Sequence, residues 1–324
     1  MFKFSIVICS YNGSSRIINA IDSISKLLLS HAFSYDVIIV DNNSTDNTFT
    51  VANQLKVKYV DIFDIIVIQE FTQGKVFALE SALNYSFSDW IIICDDDNLL
   101  NNDYLLVAYS LIKNFNDVGI FGGDSNLFVS NNIFVPEWFT SHSLKYAVGK
   151  QHSKSGYVTY KDNLWGAGSI IHRNGLLKVL KTVSMLVKND RWEDSEIGYR
   201  FILLGYKLYY SEYLIFDHLI DIARLNIYKH NEILLNYKYN RDSLEKYRHF
   251  IKYYYFNKLK YFSIIKWNIV YLFSLFDILL SNNFGKYNIM INLFTNFGND
   301  EDYKLIKKFY KKNKLLSSTD KCNF

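Results

Sequence analysis

Within the first hundred residues three short apolar runs each stop at a cluster of polar side chains, and this arrangement narrows the fold more than any other feature. Phe4–Cys9 gives way to Ser10-Tyr11-Asn12, Tyr35–Val40 to Asp41-Asn42-Asn43, and Trp90–Cys94 to Asp95-Asp96-Asp97. Runs this short and this apolar predict strands buried on both faces. Between them lie stretches with helical spacing, Ser14–Leu29, Thr45–Leu55 and Lys75–Tyr85, and a further strand at Ile62–Gln69. Strands alternating with helices predict an α/β fold, a mostly parallel sheet flanked by helices. Ligands of such sheets bind outside the carboxyl ends of the strands, so the three polar clusters are expected to line one crevice.

Residues 103–224 carry mixed signals: a helix at Tyr104–Phe115, strands near Gly119–Gly123 and Ser169–His172, and a helix at Asp194–Leu204. After about residue 225 the chain turns to Tyr, Lys, Asn and Leu at helical spacing, which predicts a helical C-terminal extension. Charge divides at the same place. Residues 1–224 hold 19 Lys and Arg against 24 Asp and Glu, net −5, whereas residues 225–324 hold 17 against 8, net +9. An acidic region that binds a cation, followed by a basic tail that meets an anionic surface, fits this split; so does a solvated helical tail. The most apolar stretch, 267–281, is interrupted by Asp277 and is shorter than the about 20 residues of a membrane span, so a buried or interfacial helix is expected. The three cysteines, Cys9, Cys94 and Cys322, suit neither a disulfide framework nor a thiolate metal site. The N-terminal MFKFSIVICSYN has too short an apolar run for a secretory leader, so a cytoplasmic placement is expected, at most peripheral on the inner membrane face.

Asp95-Asp96-Asp97 carries the chemistry, because adjacent carboxylates repel and remain ionised together only with a cation or hydrogen-bond donors nearby. Oxygen-only ligands suit a hard divalent ion such as Mn²⁺ or Mg²⁺. In isolation the same triplet reads as a solvated acidic turn.

The ordered set SIVICSYNGSSRI, VIIVDNNSTDNT and WIIICDDDN resembles glycosyltransferase family 2, over roughly residues 3–218. The resemblance implies a GT-A, Rossmann-like fold, inverting transfer, and a nucleoside-diphosphate sugar donor, a UDP-sugar foremost. It implies nucleotide-sugar contacts from Ser10, Tyr11, Asn12, Asp41, Lys75, Asp95 and Asp96, and a metal held by Asp97 and His218. WGAGSIIHRNG is similar to the family's acceptor loop, giving Trp165, Gly166, Ala167 and Gly168 as acceptor contacts. RWEDSEIGYR resembles the family's Glu-Asp motif at a helix start. Asp194 there is the expected general base, with Trp192 and Glu193 lining the acceptor pocket and Glu196–Arg200 an ordinary helix-surface ion pair. A helix cap is the plainer reading of Asp194.

This divides the chain into a catalytic region, 1–224, with donor binding in 1–100 and acceptor binding in 101–224, and a C-terminal extension, 225–324. The acceptor is expected to be a glycan or lipid-linked sugar of bacterial surface polysaccharide. No nucleic-acid partner is expected, and the aromatic tail is open to peripheral membrane contact or to homo-oligomer packing. Two rivals stand beside this reading. A non-catalytic sugar-nucleotide-binding subunit has no need of Asp194, and a nucleotidyltransferase needs a glycine-rich phosphate loop where Ser10–Ile17 has only Gly13.

Overall fold

The computed structural model describes residues 2–129, 133–182, 184–186, 192–228, 230–232, 241–252 and 301–319. The chain forms two compact units, Met1–Arg241 and Asp242–Phe324.

The first unit is built on one sheet. β1 (Phe2–Ser10), β2 (Phe33–Asp41), β3 (Ile65–Gln69) and β4 (Trp90–Ile93) pair in parallel in the order β3-β2-β1-β4. The sheet continues through β8 (Ile170–His172), β6 (Val118–Phe128), β9 (Lys207–Leu219) and β5 (Asn98–Leu100), with β7 (Gly156–Val158) also on β9. In this half β6 and β9 are parallel and the other pairings antiparallel.

Side chains alternate across a strand, which sorts the helices onto two faces. Phe4, Ile6 and Ile8 of β1, with Val37 and Ile39 of β2, share a core with α1 (Arg16–Ile24), α2 (Thr48–Lys58) and α4 (Tyr104–Asn114). On the other side α3 (Lys75–Tyr85) packs on β1 and β2 and meets α6 (Arg173–Thr182), which meets α7 (Glu193–Leu204). Both faces being covered, Ile38 and Ile39 are each without exposed surface. A buried isoleucine contributes roughly 1.5–3 kcal/mol, so unbroken apolar strands are what this sheet requires.

The mostly parallel α/β architecture stands as expected. Helix α1 is shorter than its apolar spacing predicts, because the Leu28 N–H bonds to Asn102 O, off the helix. A small second core joins Phe139 of α5 (Glu137–His142) to Tyr146, Val148, Ile220 and Leu225. The first unit runs on to Arg241.

In the second unit the helices Arg241–Phe250 and Glu301–Thr319 are joined by a Lys246–Asp302 ion pair of 2.7 Å and bury Tyr247, Ile306 and Phe309. The apolar stretch 267–281 and Cys322 lie outside the described residues. Among the described residues no helix is long and apolar enough to cross a membrane.

Candidate active site

Parallel pairing of β1 with β2 and β4 brings the polar strand ends together. Ser10 Oγ donates to Asp96 Oδ2 at 2.5 Å, and Arg16, first residue of α1, grips the same carboxylate through Nε and Nη2 at 2.9 and 3.0 Å. A Cβ on Gly13 would fall 2.0 Å from Asp96 Oδ2, so the turn can close over this carboxylate only at a glycine. Burial raises the Asp96 pKa and the Arg16 bonds offset that only partly. Asp96 therefore spends its oxygens inside the protein, as a tie between the β1 turn and the β4 end.

Beside it Asn12, in the left-handed region at φ 49°, accepts N–H bonds from Thr45 and Asp46. Asp41 is buried at the end of β2 and accepts the Ser44 N–H at 3.3 Å, while the Tyr11 ring is left exposed.

Asp97 faces the other half of the sheet. The β5–β9 ladder sets Asn98 opposite His218, and His218 Nε2 comes to 3.4 Å from Asp97 Oδ1. Arg224, in the 3₁₀ turn Ile222–Leu225, reaches Asp97 Oδ2 at 3.1 Å and His218 Nε2 at 3.1 Å. An arginine has no acceptor, so Nε2 receives that bond and the imidazole carries its proton on Nδ1, donated to Ala147 O at 3.2 Å. Burial pushes the Asp97 pKa up, and His218, Arg224 and Arg16 outweigh it, leaving the carboxyl below the usual range.

The second acidic cluster sits at the start of α7. Asp194 Oδ1 accepts its neighbour Ser195's N–H at 2.6 Å, and Oδ2 accepts the Gly166 N–H at 3.0 Å. It lies inside the helix's first turn, and the N-cap position is taken by Trp192, held at φ 92°. A bulky residue there is a strained backbone position. Gly166 has little room for a side chain, since a Cβ would stand 3.1 Å from Asp194 Cβ. Burial raises the Asp194 pKa against the pull of the two N–H groups. Burial raises Glu193 as well, opposed by Lys75 and reinforced by Asp194.

Lys75 joins the two clusters, with Nζ 2.6 Å from Asp95 Oδ1 and 3.7 Å from Glu193 Oε1. A cavity of about 20 Å³, room for a water, lies between Lys75, Trp165, Gly166, Glu193 and Asp194.

Several residues depart from the expectations. Ala167 is buried and Gly168 donates its N–H to Ile93 O, so these two form the sheet side of the loop whose outer side is Trp165 and Gly166. The Glu196–Arg200 pair is no surface bridge. Both are without exposed surface; Glu196 accepts the Leu186 N–H, and Arg200 donates to Val179 O and Ser184 O, fixing the chain after α6 to α7. The i, i+4 spacing gives the pairing but not which helix face is covered.

Sequence reasoning missed Arg16, Arg224 and Gln151. A cation in the first turn of a helix opposes the macrodipole, and that was a readable sign that Arg16 has a dedicated partner. Gln151 had no such sign: its N–H bonds Asp124 Oδ1, Tyr210 donates its hydroxyl to the same carboxylate, and Gln151 Oε1 accepts the Trp165 N–H at 2.9 Å.

Residues 5–159 match the model of glycosyl transferase family 2. That segment, a little under half of the chain, is similar to the family. It holds the three strand-end clusters, while Gly166, Asp194 and His218 lie beyond it. Within the chain, 112 residues are 29% identical to the poly(ribitol-phosphate) beta-glucosyltransferase of Bacillus spizizenii, covering 34% of this chain and 17% of that protein. Another match, 30% over 107 residues, is to the uncharacterized glycosyltransferase YaiP of Escherichia coli, covering 33% and 25%. The chain thus spans a quarter or less of these relatives. Two solved structures share the fold at a TM-score of 0.50. One is S. aureus TarS 1–349 in complex with UDP, 17% identical over 77% of this chain and 66% of that one. The other is the mannosyltransferase PcManGT from Pyrobaculum calidifontis in complex with GDP-Man and Mn²⁺, 18% identical over 66% and 56%. At such identities the likeness is one of fold.

Proposed function

We propose that the chain is an inverting glycosyltransferase of GT-A type that moves a sugar from a nucleoside-diphosphate donor, a UDP-sugar foremost, to a glycan or lipid-linked acceptor of a cell-surface polymer. The observation that carries the reading is the Lys75 bridge, which sets a carboxylate cluster suited to the donor against one suited to the acceptor in a single cleft. The family 2 segment, the polymer named for the Bacillus relative and the UDP of the TarS complex support it.

A divalent ion fits the residues. His218 turns an Nε2 lone pair toward Asp97, its Nδ1–H is fixed by a backbone carbonyl in the manner of metal-bound imidazoles, and a cationic group already rests between the two. Among the described residues no group of three or more His, Cys, Asp and Glu forms a site, so the diphosphate and water would complete the shell. Bound by Asp97 and His218, Mn²⁺ or Mg²⁺ would supply Lewis-acid stabilisation of the leaving diphosphate.

The chain's own residues divide the remaining work. Tyr11 and Asp41 hold the nucleoside, Asp95 and Lys75 meet the donor, and Trp165, Gly166, Trp192 and Glu193 frame the acceptor. Asp194 accepts the acceptor hydroxyl's proton as that oxygen attacks the anomeric carbon opposite the diphosphate, which inverts configuration. A pure binding subunit leaves this base without a purpose.

The test is a panel of sugar nucleotides with Mn²⁺, Mg²⁺ or chelator, read by thermal shift, nucleotide release and transfer to glycan acceptors. Absence of binding and release with every donor would overturn the reading. The basic 225–324 region, net +9, supports peripheral contact with an anionic membrane, and vesicle flotation that needs anionic lipid and weakens with salt is the expected outcome.

A further inference from the structure

The geometry points to Arg224 as a resident counter-charge that holds the Asp97–His218 pair in the ion-free protein and that a divalent cation must displace. The inference uses the ion assignment of the proposed function but concerns the state before loading.

Three contacts carry it. One guanidinium touches both side chains, Asp97 Oδ2 at 3.1 Å and His218 Nε2 at 3.1 Å, while His218 Nε2 and Asp97 Oδ1 stand 3.4 Å apart. The carboxylate, through Oδ2, and the nitrogen lone pair offered to an ion are thus shared with a group of the same sign as the ion. The two cannot be held together, because the guanidinium would then face a divalent charge across a gap of a few ångströms in a buried site.

The surroundings are asymmetric in the way displacement requires. Asp97 and His218 are held in place, their side chains 6% and 7% exposed, with Asp97 O accepting the Leu219 N–H and His218 Nδ1 bonded to Ala147 O. The Arg224 side chain is 42% exposed. Its backbone is pinned, since its N–H bonds Asp221 Oδ1 at 3.0 Å and the flanking Ile220 and Leu225 are buried in the small core. The side chain can rotate into water while its turn stays put.

The arrangement also explains how Asp97 is tolerated without an ion. A buried carboxylate left without a counter-charge is strongly destabilising; Asn98 Nδ2 donates to Asp97 Oδ1 at 3.3 Å, and Arg224 supplies the opposite charge until an ion takes over. Arg16 is committed elsewhere, to both oxygens of Asp96.

Mn²⁺ binding is measured on the whole chain without any nucleotide, by calorimetry and by electron paramagnetic resonance of free Mn²⁺, for the parent, Arg224→Ala and Arg224→Gln. A charge-assisted bond to a buried carboxylate corresponds to about tenfold or more in affinity. Both variants should therefore bind Mn²⁺ about tenfold more tightly than the parent, melt lower in chelator, and regain more on adding Mn²⁺. Equal or weaker Mn²⁺ binding by the variants overturns the inference, as does absence of binding in all three proteins. Should both variants fail to fold, hydrogen exchange of the parent decides. Faster exchange of the Arg224 guanidinium protons, read by NMR with diamagnetic Mg²⁺ as the ion, supports displacement, and guanidinium exchange unchanged with the ion bound overturns it. None of these readouts requires sugar transfer, so a chain that transfers no sugar but shows the competition would lose the proposed function and keep this inference, and the reverse would lose only this one.

Discussion

Asp97 and Asp194 belong to the two acidic clusters that Lys75 bridges through Asp95 and Glu193, yet their surroundings drive them in opposite directions. Asp97 is pressed between His218 and Arg224 and titrates below the ordinary carboxylate range. Asp194 has two backbone N–H groups and, among the described residues, no cation in direct contact, and burial lifts its pKa. One is kept charged to meet a positive group, the other is left able to take a proton. The residue type is the same, and the neighbours assign the work.

That contrast is open to attack from both sides. The largest effect should come from Asp97→Asn, which removes the charge that Arg224 or an ion must meet. Calorimetry with a sugar nucleotide should then show no metal-supported binding, and retained affinity would mean that Asp97 is not the ion's ligand. Asp194→Asn should separate binding from chemistry, leaving donor affinity close to the parent while turnover falls by roughly 10²–10⁴. Transfer at the parent rate would reduce Asp194 to a prop for the Gly166 loop.

A smaller change is expected one step back from the cleft. Gln151→Ala removes the acceptor of the Trp165 N–H, a neutral bond worth about 1 kcal/mol. The acceptor KM should rise a few-fold with the donor KM unchanged, in two-substrate kinetics. An equal rise in both would show that the loop serves the whole cleft.

The smallest effect concerns stability. Glu193 has a raised pKa in the folded protein, so the native state keeps a proton that the unfolded chain releases above about pH 4.3. Its contribution is fully present below that value and is lost as pH rises through the folded pKa. Glu193→Gln should therefore flatten the fall in melting temperature between mildly acidic and alkaline pH. A parallel profile in the variant would place the Glu193 proton elsewhere.

The sheet's parallel half was legible in the sequence because β1, β2 and β4 are apolar strands buried on both faces and end at polar clusters. Lys75–Tyr85 even matches helix α3 at both ends. β5, β7 and β9 went unpredicted, and with β5 and β9 went the reason His218 stands beside Asp97. The sequence also could not tell which polar groups would face one another. Asp96 looks like its neighbours as a letter, yet Ser10 and Arg16 turn its carboxylate into a structural tie. Glu196–Arg200 went astray for a related reason: helical spacing says who is adjacent, and only the packing of α6 on α7 says how much water reaches the pair.

The three-residue ladder between β5 and β9 has a bearing on how such chains can vary in length. Asn98, Leu99 and Leu100 stand opposite His218, Asp217 and Phe216. Everything between the two strands can gain or lose residues in its loops without disturbing that alignment. A single residue inserted or deleted within the ladder itself would turn His218 to the opposite face of the sheet, with Asp217 or Leu219 taking its place. Descendants of this chain that differ greatly in size between the third aspartate and the histidine can therefore keep the pair, whereas a one-codon slip in the ladder should abolish it.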